Sequence, residues 1–143
     1  MKIIMAGNAE DLRNSFQLLW ELRPHLTWEN FMLVYEEAHT KDQFELVGFY
    51  EDNILVGLIG FRFLTDFVRG RHLYIDDLVT RESKRSSGLG KVMLDYAIEF
   101  ARTHNCPGGL RLCAGLDNHR GIKFYEKNGW NARAYAFVYK FSN

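Results

Sequence analysis

The spacing of apolar positions changes several times along the chain, and each change marks an element. Residues 2 to 6, apolar from Ile3 onward, predict a short strand. Asn8 then stands where it can cap a helix whose Leu12, Phe16, Leu19 and Trp20 recur at helical spacing, and Pro24 ends that helix. Thr27 caps a second helix with Phe31, Val34, Tyr35 and Ala38 on one side. The pattern next turns to strands: Phe44 to Tyr50 and Ile54 to Leu64 flank the polar turn Glu51-Asp52-Asn53, a hairpin signal. A third strand covers about His72 to Thr80. The strongest helical stripe follows over Gly88 to Thr103, with Val92, Met93, Tyr96, Ala97, Phe100 and Ala101, and Asn105 with Pro107-Gly108-Gly109 stops it. Leu110 to Leu116 alternates as a strand, and Asn118 caps a short helix with Ile122, Phe124 and Tyr125 that stops at Gly129. Ala134 to Phe141 completes the pattern as a last strand, with Tyr135, Phe137, Tyr139 and Phe141 on one face. The order predicts an α/β (α+β) protein, a mixed sheet with helices on both faces.

Composition narrows the class further. The 143 residues are about one domain's worth, and 47% hydrophobic with 25% charged residues can bury a core, which excludes a disordered chain or a disulfide-stapled miniprotein. Eighteen basic side chains balance eighteen acidic ones, so no general electrostatic argument favours nucleic acid or an anionic membrane. Cys106 and Cys113 lack metal-ligand or C-x-x-C spacing and read as free buried thiols. The five histidines include no H-E-x-x-H or H-x-H spacing, so no metal is expected. The first residues do not read as a signal peptide, and the longest apolar run, Ile54 to Phe61, has 8 residues against the roughly 20 of a membrane span. A soluble cytoplasmic protein is expected.

The candidate chemistry sits at Arg85-Ser86-Ser87-Gly88-Leu89-Gly90, between a strand and the strongest helix. The first N–H groups of a helix have no intrahelical partner and lie at its positive dipole end, so they suit a phosphate. Glycine lets backbone approach the anion closely. From Arg81 to Lys91 the basic residues Arg81, Lys84, Arg85 and Lys91 face one acid, Glu82. A Walker A loop is excluded, because Arg85 stands where its first glycine belongs and Val92 where Ser or Thr is needed. A Rossmann loop is excluded by Met93 in place of its third glycine.

The stretch resembles the acyl-CoA pyrophosphate loop of the Gcn5-related N-acetyltransferases (GNAT), whose pattern is Arg or Gln, two residues, Gly, any residue, then Gly or Ala. Leu73 to Thr80 is similar to that family's central strand. Asn118 followed by Gly121 to Trp130 is similar to its last block, with Gly121 where Ala is usual. The resemblance implies a mostly antiparallel central sheet in an acyl-CoA N-acyltransferase fold, with residues 1–143 as a single domain. It implies transfer of acetyl from acetyl-CoA to a primary amine by direct attack, without a metal. It places the backbone of Leu78, Val79 and Thr80 along the pantetheine arm, and the loop Arg85, Ser86, Ser87, Gly88, Leu89, Gly90 and Lys91 at the pyrophosphate. Asn118 and Tyr125 complete the cofactor contacts.

The same resemblance makes Tyr125 the general acid that returns a proton to the leaving thiolate; a phenol near pKa 10 suits a thiolate near about 8.5. It makes Asp76 the first choice of base, with Asp77 second and a water relay open. As neighbours in a strand the two aspartates should point to opposite faces, so that only one meets the acceptor. Arg62, Arg69 and Arg71 are candidates for CoA's other phosphate. Seven acids between Glu29 and Asp52 (Glu29, Glu36, Glu37, Asp42, Glu45, Glu51 and Asp52) against one base, Lys41, point to a small cationic molecule, or a Lys or peptide amine, as acceptor. The alternative reading is a non-catalytic acyl-CoA-binding or protein-interaction domain of the same fold. The sequence leaves a homodimer open.

Overall fold

The computed structural model describes residues 1–142. The chain divides into two compact units, Met1–Leu112 and Cys113–Asn143.

The first unit holds β1 (Lys2–Met5), α1 (Ala9–Leu22), α2 (Trp28–Asp42), β2 (Glu45–Glu51), β3 (Ile54–Asp66), β4 (Gly70–Thr80), a short 3-10 turn (Glu82–Lys84), α3 (Leu89–Thr103) and β5 (Leu110–Leu112). The strands form one sheet in the order β1-β2-β3-β4-β5. The first four are antiparallel neighbours, and β5 joins β4 in parallel. Local sequence explains most boundaries. Asn8 and Thr27 accept the N–H groups of Asp11 and Asn30, capping α1 and α2. Asp52 and Asn53 both adopt positive φ, 50° and 62°, the two-residue turn whose twist suits a hairpin.

Alternation along β2 and β3 sends apolar side chains to both faces, as a sheet covered on both sides requires. On one face Leu46 and Leu58 pack under Leu12, Leu18 and Leu19 of α1 and Phe31 and Ala38 of α2. On the other, the Phe49 ring meets Tyr96 at 5.7 Å and Phe61 meets Phe100 at 4.7 Å, both from α3. Gly57 allows α3 to sit close: a Cβ there would lie 2.7 Å from Met93 Sδ. The expected mixed, mostly antiparallel sheet with helices on both faces is the architecture found.

The second unit contains α4 (His119–Lys127), capped by Asn118. Two expectations are corrected here. The strand beginning at Leu110 ends at Leu112 rather than Leu116. Residues 134–141 form no strand; Tyr135, Phe137, Tyr139 and Phe141 are exposed by 72%, 94%, 87% and 86%. A period of two becomes a strand only where a neighbour completes its hydrogen-bond ladder. Of the two thiols, Cys106 is buried as expected, whereas Cys113 is exposed. Among the described residues no helix is long and apolar enough to cross a membrane.

Candidate functional site

The loop between β4 and α3 is tied down at its entrance. Arg81 donates its backbone N–H to Val56 O (2.8 Å) and its Nε–H to Leu55 O (3.0 Å), fixing the exit from β4 against β3. After the 3-10 turn the exposed Arg85 leads to Ser86, at φ 63°, and Gly88, at φ 88° and ψ −2°. Gly88 is the N-cap of α3 and brings no side-chain bond, and the first turn carries no acid. Asn8, Thr27 and Asn118 give the other three helices a side-chain cap. Only glycine takes the Gly88 conformation cheaply. It leaves the first N–H groups of α3, at Leu89, Gly90 and Lys91, without intrahelical acceptors. Leu89 itself is buried, so the turn is anchored while its polar side stays open. Lys84 pairs with Glu51 (2.7 Å) and Lys91 with Asp95 (2.8 Å).

Strand β4 leads into this loop. It pairs with β5 only from Leu73↔Leu110 to Ile75↔Leu112, so from Asp76 to Thr80 that side of β4 runs past the end of β5. Leu78, Val79 and Thr80 stay paired on the other side, opposite Ile59, Leu58 and Gly57. An N–H and C=O edge of this kind can bind an extended chain.

The acid pair departs from expectation. Ile75 pairs with Phe61 and Asp77 with Gly60, which leaves Asp76 as the extra residue of a β-bulge. The insertion cancels one step of alternation, so Asp76 and Asp77 line the same cleft rather than opposite faces. Each carries an arginine. Arg62 forks onto Asp76 (Nε to Oδ1 2.9 Å, Nη2 to Oδ2 2.8 Å) and uses Nη1 on Asp42 (3.0 Å). Arg23, just beyond α1, reaches Asp77 Oδ1 through Nε (2.9 Å) and Nη2 (2.8 Å). Burial holds the Asp76 carboxyl above the usual carboxylate range, and the Asp77 and Asp42 charges add to this; the Arg62 fork opposes them without prevailing.

The cleft has a volume of about 130 Å³, and its wall is aromatic and aliphatic, with Phe31, Tyr35 and Phe44 beside Leu19 and Leu26. None of the seven acids between Glu29 and Asp52 lines it. Glu36 and Glu37 are exposed, with Glu37 3.8 Å from Lys41, while Glu45 faces His39 at 3.5 Å. Sequence reasoning missed Arg23 and Arg62 as partners of the two aspartates, and Asp42 as the second carboxylate on Arg62. A signal existed for Arg62, since it continues the inward-facing series Leu58, Gly60, Arg62, where an unpaired cation would be costly. Arg62 is thus committed to carboxylates, and Arg71 lies 4.0 Å over the Phe63 ring with its guanidinium on His104 O. His72, fully buried, is satisfied at both ring nitrogens: Nδ1 lies 2.9 Å from Gly70 O, and Nε2 accepts from Arg111 Nε at 3.0 Å.

In the second unit Asn118 Oδ1 accepts the Gly121 N–H at 3.0 Å. A Cβ at Gly121 would stand 2.5 Å from Asn118 Nδ2, so the glycine lets this cap close tightly. Tyr125 is half-buried, its ring 6.1 Å from Trp130 and its carbonyl bonded to the Trp130 N–H at 3.0 Å. Burial raises the phenol above its ordinary value, which keeps it protonated at neutral pH.

Residues 8–130 match the Acetyltransferase (GNAT) family. A Bacillus subtilis (strain 168) protein named "Uncharacterized N-acetyltransferase YhdJ" is 33% identical over 129 residues, covering 90% of each chain. Among solved structures, an acetyltransferase from Trypanosoma brucei superposes with a TM-score of 0.79 at 22% identity, covering 98% of this chain and 99% of that one. The enzyme AAC(6')-Iy, in complex with the bisubstrate analogue CoA-S-monomethyl-acetylneamine, superposes with a TM-score of 0.84 at 16% identity, covering 99% of this chain and 98% of that one.

Proposed function

The chain belongs to the GNAT acetyltransferase family and is an N-acetyltransferase, and from that premise we propose that it moves the acetyl group of acetyl-CoA to the primary amine of a small molecule by direct attack, residues 1–143 acting as one domain. The observation that carries the cofactor assignment is the open N-terminus of α3 behind Gly88, a helix start with neither side-chain cap nor acid in its first turn. Acetyl-CoA supplies the acetyl group as a thioester. Its pyrophosphate would lie on the loop Arg85 to Lys91, with the Arg85 guanidinium adding charge. Its pantetheine arm would follow Leu78, Val79 and Thr80, where β4 has run past β5. Asn118 and Tyr125 are assigned to the same ligand by the family block that they occupy.

The amine must attack neutral. At pH 7 a lysine-like ammonium of pKa about 10.4 gives up its proton at a cost of roughly 4.6 kcal/mol, 3.4 units at about 1.36 each. Asp76 is assigned to lead that proton away, directly or through water, with Asp77 as the second choice; Tyr125 protonates the departing thiolate. A small-molecule acceptor agrees with the volume of the cleft and with the bisubstrate analogue held by AAC(6')-Iy, which joins CoA to a small molecule. Two free cysteines fit a reducing, cytoplasmic location.

Two measurements test this reading. Acetyl-CoA at about 100 times its dissociation constant should stabilise the fold by about 2.7 kcal/mol, seen as a rise in Tm, and an amine panel should then release CoA thiol. An unmoved Tm would remove the cofactor assignment. The base assignment has its own signature in pH. An ionised Asp76 is needed to take a proton, so kcat/KM should fall as pH drops through its raised pKa, above the usual carboxylate range. Acid unfolding through this group cannot mimic the loss. With its folded pKa raised, the native state binds more protons than the unfolded one in that window, so protonation favours the fold. Asp76→Asn should abolish the limb; a limb unchanged in the variant assigns the titration elsewhere.

A further inference from the structure

Charge and an apolar wall at the acceptor cleft together narrow the amine. Arg23 and Arg62 offset Asp76 and Asp77 within the lining, and Asp42, which holds Arg62 Nη1 at 3.0 Å, leaves a single carboxylate charge in excess. Both Asp76 oxygens already receive the Arg62 fork, so Asp76 takes the amine's proton through water and does not itself seat the ammonium. Asp77 can seat it, since both Arg23 contacts fall on Oδ1 and leave Oδ2 to accept from something else. Its side chain is 12% exposed, enough for a ligand atom to touch and too little for full hydration. One carboxylate oxygen is therefore available for one ammonium. A polyamine would bring further positive charges to a lining whose other carboxylate is already matched and whose neighbours include two guanidinium groups.

The remainder of the wall is suited to carbon. Phe31 and Tyr35 stack at 6.5 Å with 14° between planes, and Phe44 stands edge-on to Tyr35 at 6.3 Å. Val34, 59% exposed, forms the lip. The cleft, about 130 Å³ in volume, opens past Val34, so one ring or one branched alkyl group can seat against its apolar wall. We propose that the acceptor is a monoamine on a compact aryl or branched-alkyl body, its ammonium on Asp77 Oδ2 and its body between Phe31, Tyr35 and Phe44. The inference rests on the acetyltransferase reading and deepens it. In the reaction the N–C bond to acetyl forms and the thioester C–S bond breaks. Of the two protons lost by the ammonium in becoming an amide, one ends on the CoA thiol and one in solvent.

Phenethylamine and spermidine discriminate, with CoA release as the readout. Phenethylamine should show kcat/KM at least about tenfold above spermidine, as burial of one ring allows. Val34→Asp puts a carboxylate on the exposed lip, where the fold tolerates it. It should lower the phenethylamine value about fivefold, narrow the preference, and leave the acetyl-CoA dissociation constant unchanged. Asp77→Asn should raise KM for phenethylamine more than it lowers kcat. Equal or better use of spermidine, or a preference that Val34→Asp leaves intact, overturns the inference while acetyl-CoA binding and CoA release leave the acetyltransferase reading standing. A protein that acetyl-CoA fails to stabilise overturns that reading instead.

Discussion

Tyr125→Phe is expected to lower kcat about 10²-fold while leaving fold and cofactor affinity in place. The substitution removes one hydroxyl and keeps the ring that lies 6.1 Å from Trp130. The helix around it is held by backbone bonds and by the Asn118 cap, neither of which uses the phenol. Burial raises the Tyr125 pKa, so at neutral pH the group carries the proton that a departing thiolate needs. A phenol ionised at pH 7 could not serve as a donor. Single-turnover measurement isolates the chemical step, and calorimetry gives the acetyl-CoA dissociation constant separately. Wild-type single-turnover rates in the variant would leave Tyr125 as a packing residue. A rate lost together with cofactor affinity would make it a binding group.

Gly88→Val is expected to raise the acetyl-CoA dissociation constant at least about tenfold, or 1.4 kcal/mol. Crowding by the protein itself is not the cause, because a Cβ at Gly88 meets nothing within 4 Å. The cause is conformational. At φ 88° a β-branched residue is strained by roughly 1–3 kcal/mol, and relief of that strain rotates the peptide that starts α3. The N–H groups of Leu89, Gly90 and Lys91 then lose their common aim, and the Val side chain occupies the open space an anion would take. The variant should remain folded, since Leu89 and Met93 still anchor α3 on the sheet. Unchanged affinity would take the loop out of the cofactor site.

Elements with local causes were legible in the sequence. Asn8, Thr27 and Asn118 cap the helices they were expected to cap, because capping needs only a side chain three residues from an N–H. The apolar stripe of α3, the hairpin at Asp52-Asn53 and the glycine at the start of α3 have the same short reach. The mixed sheet followed from the order of such elements, although that order carried six strands and the described residues form five.

Features set by pairing between distant segments were not legible. Period-two reading sends Asp76 and Asp77 to opposite faces because it assumes that each has a partner on β3. The register Ile75↔Phe61 and Asp77↔Gly60 skips Asp76, and that skip depends on a strand more than ten residues away. The aromatic alternation of 134–141 predicted a strand, yet a ladder needs a neighbour that composition does not supply. Charge behaves in the same way. The sequence located seven acids near the acceptor region, but the fold turned Glu36 and Glu37 to solvent and brought Arg23 and Arg62 onto the two aspartates of β4. Local chemistry along the chain determined the helices, their caps and the loop that suits phosphate. Tertiary register decided which carboxylates share a cleft and which cations hold them, because Coulomb energy depends on distance in space and only weakly on distance along the chain.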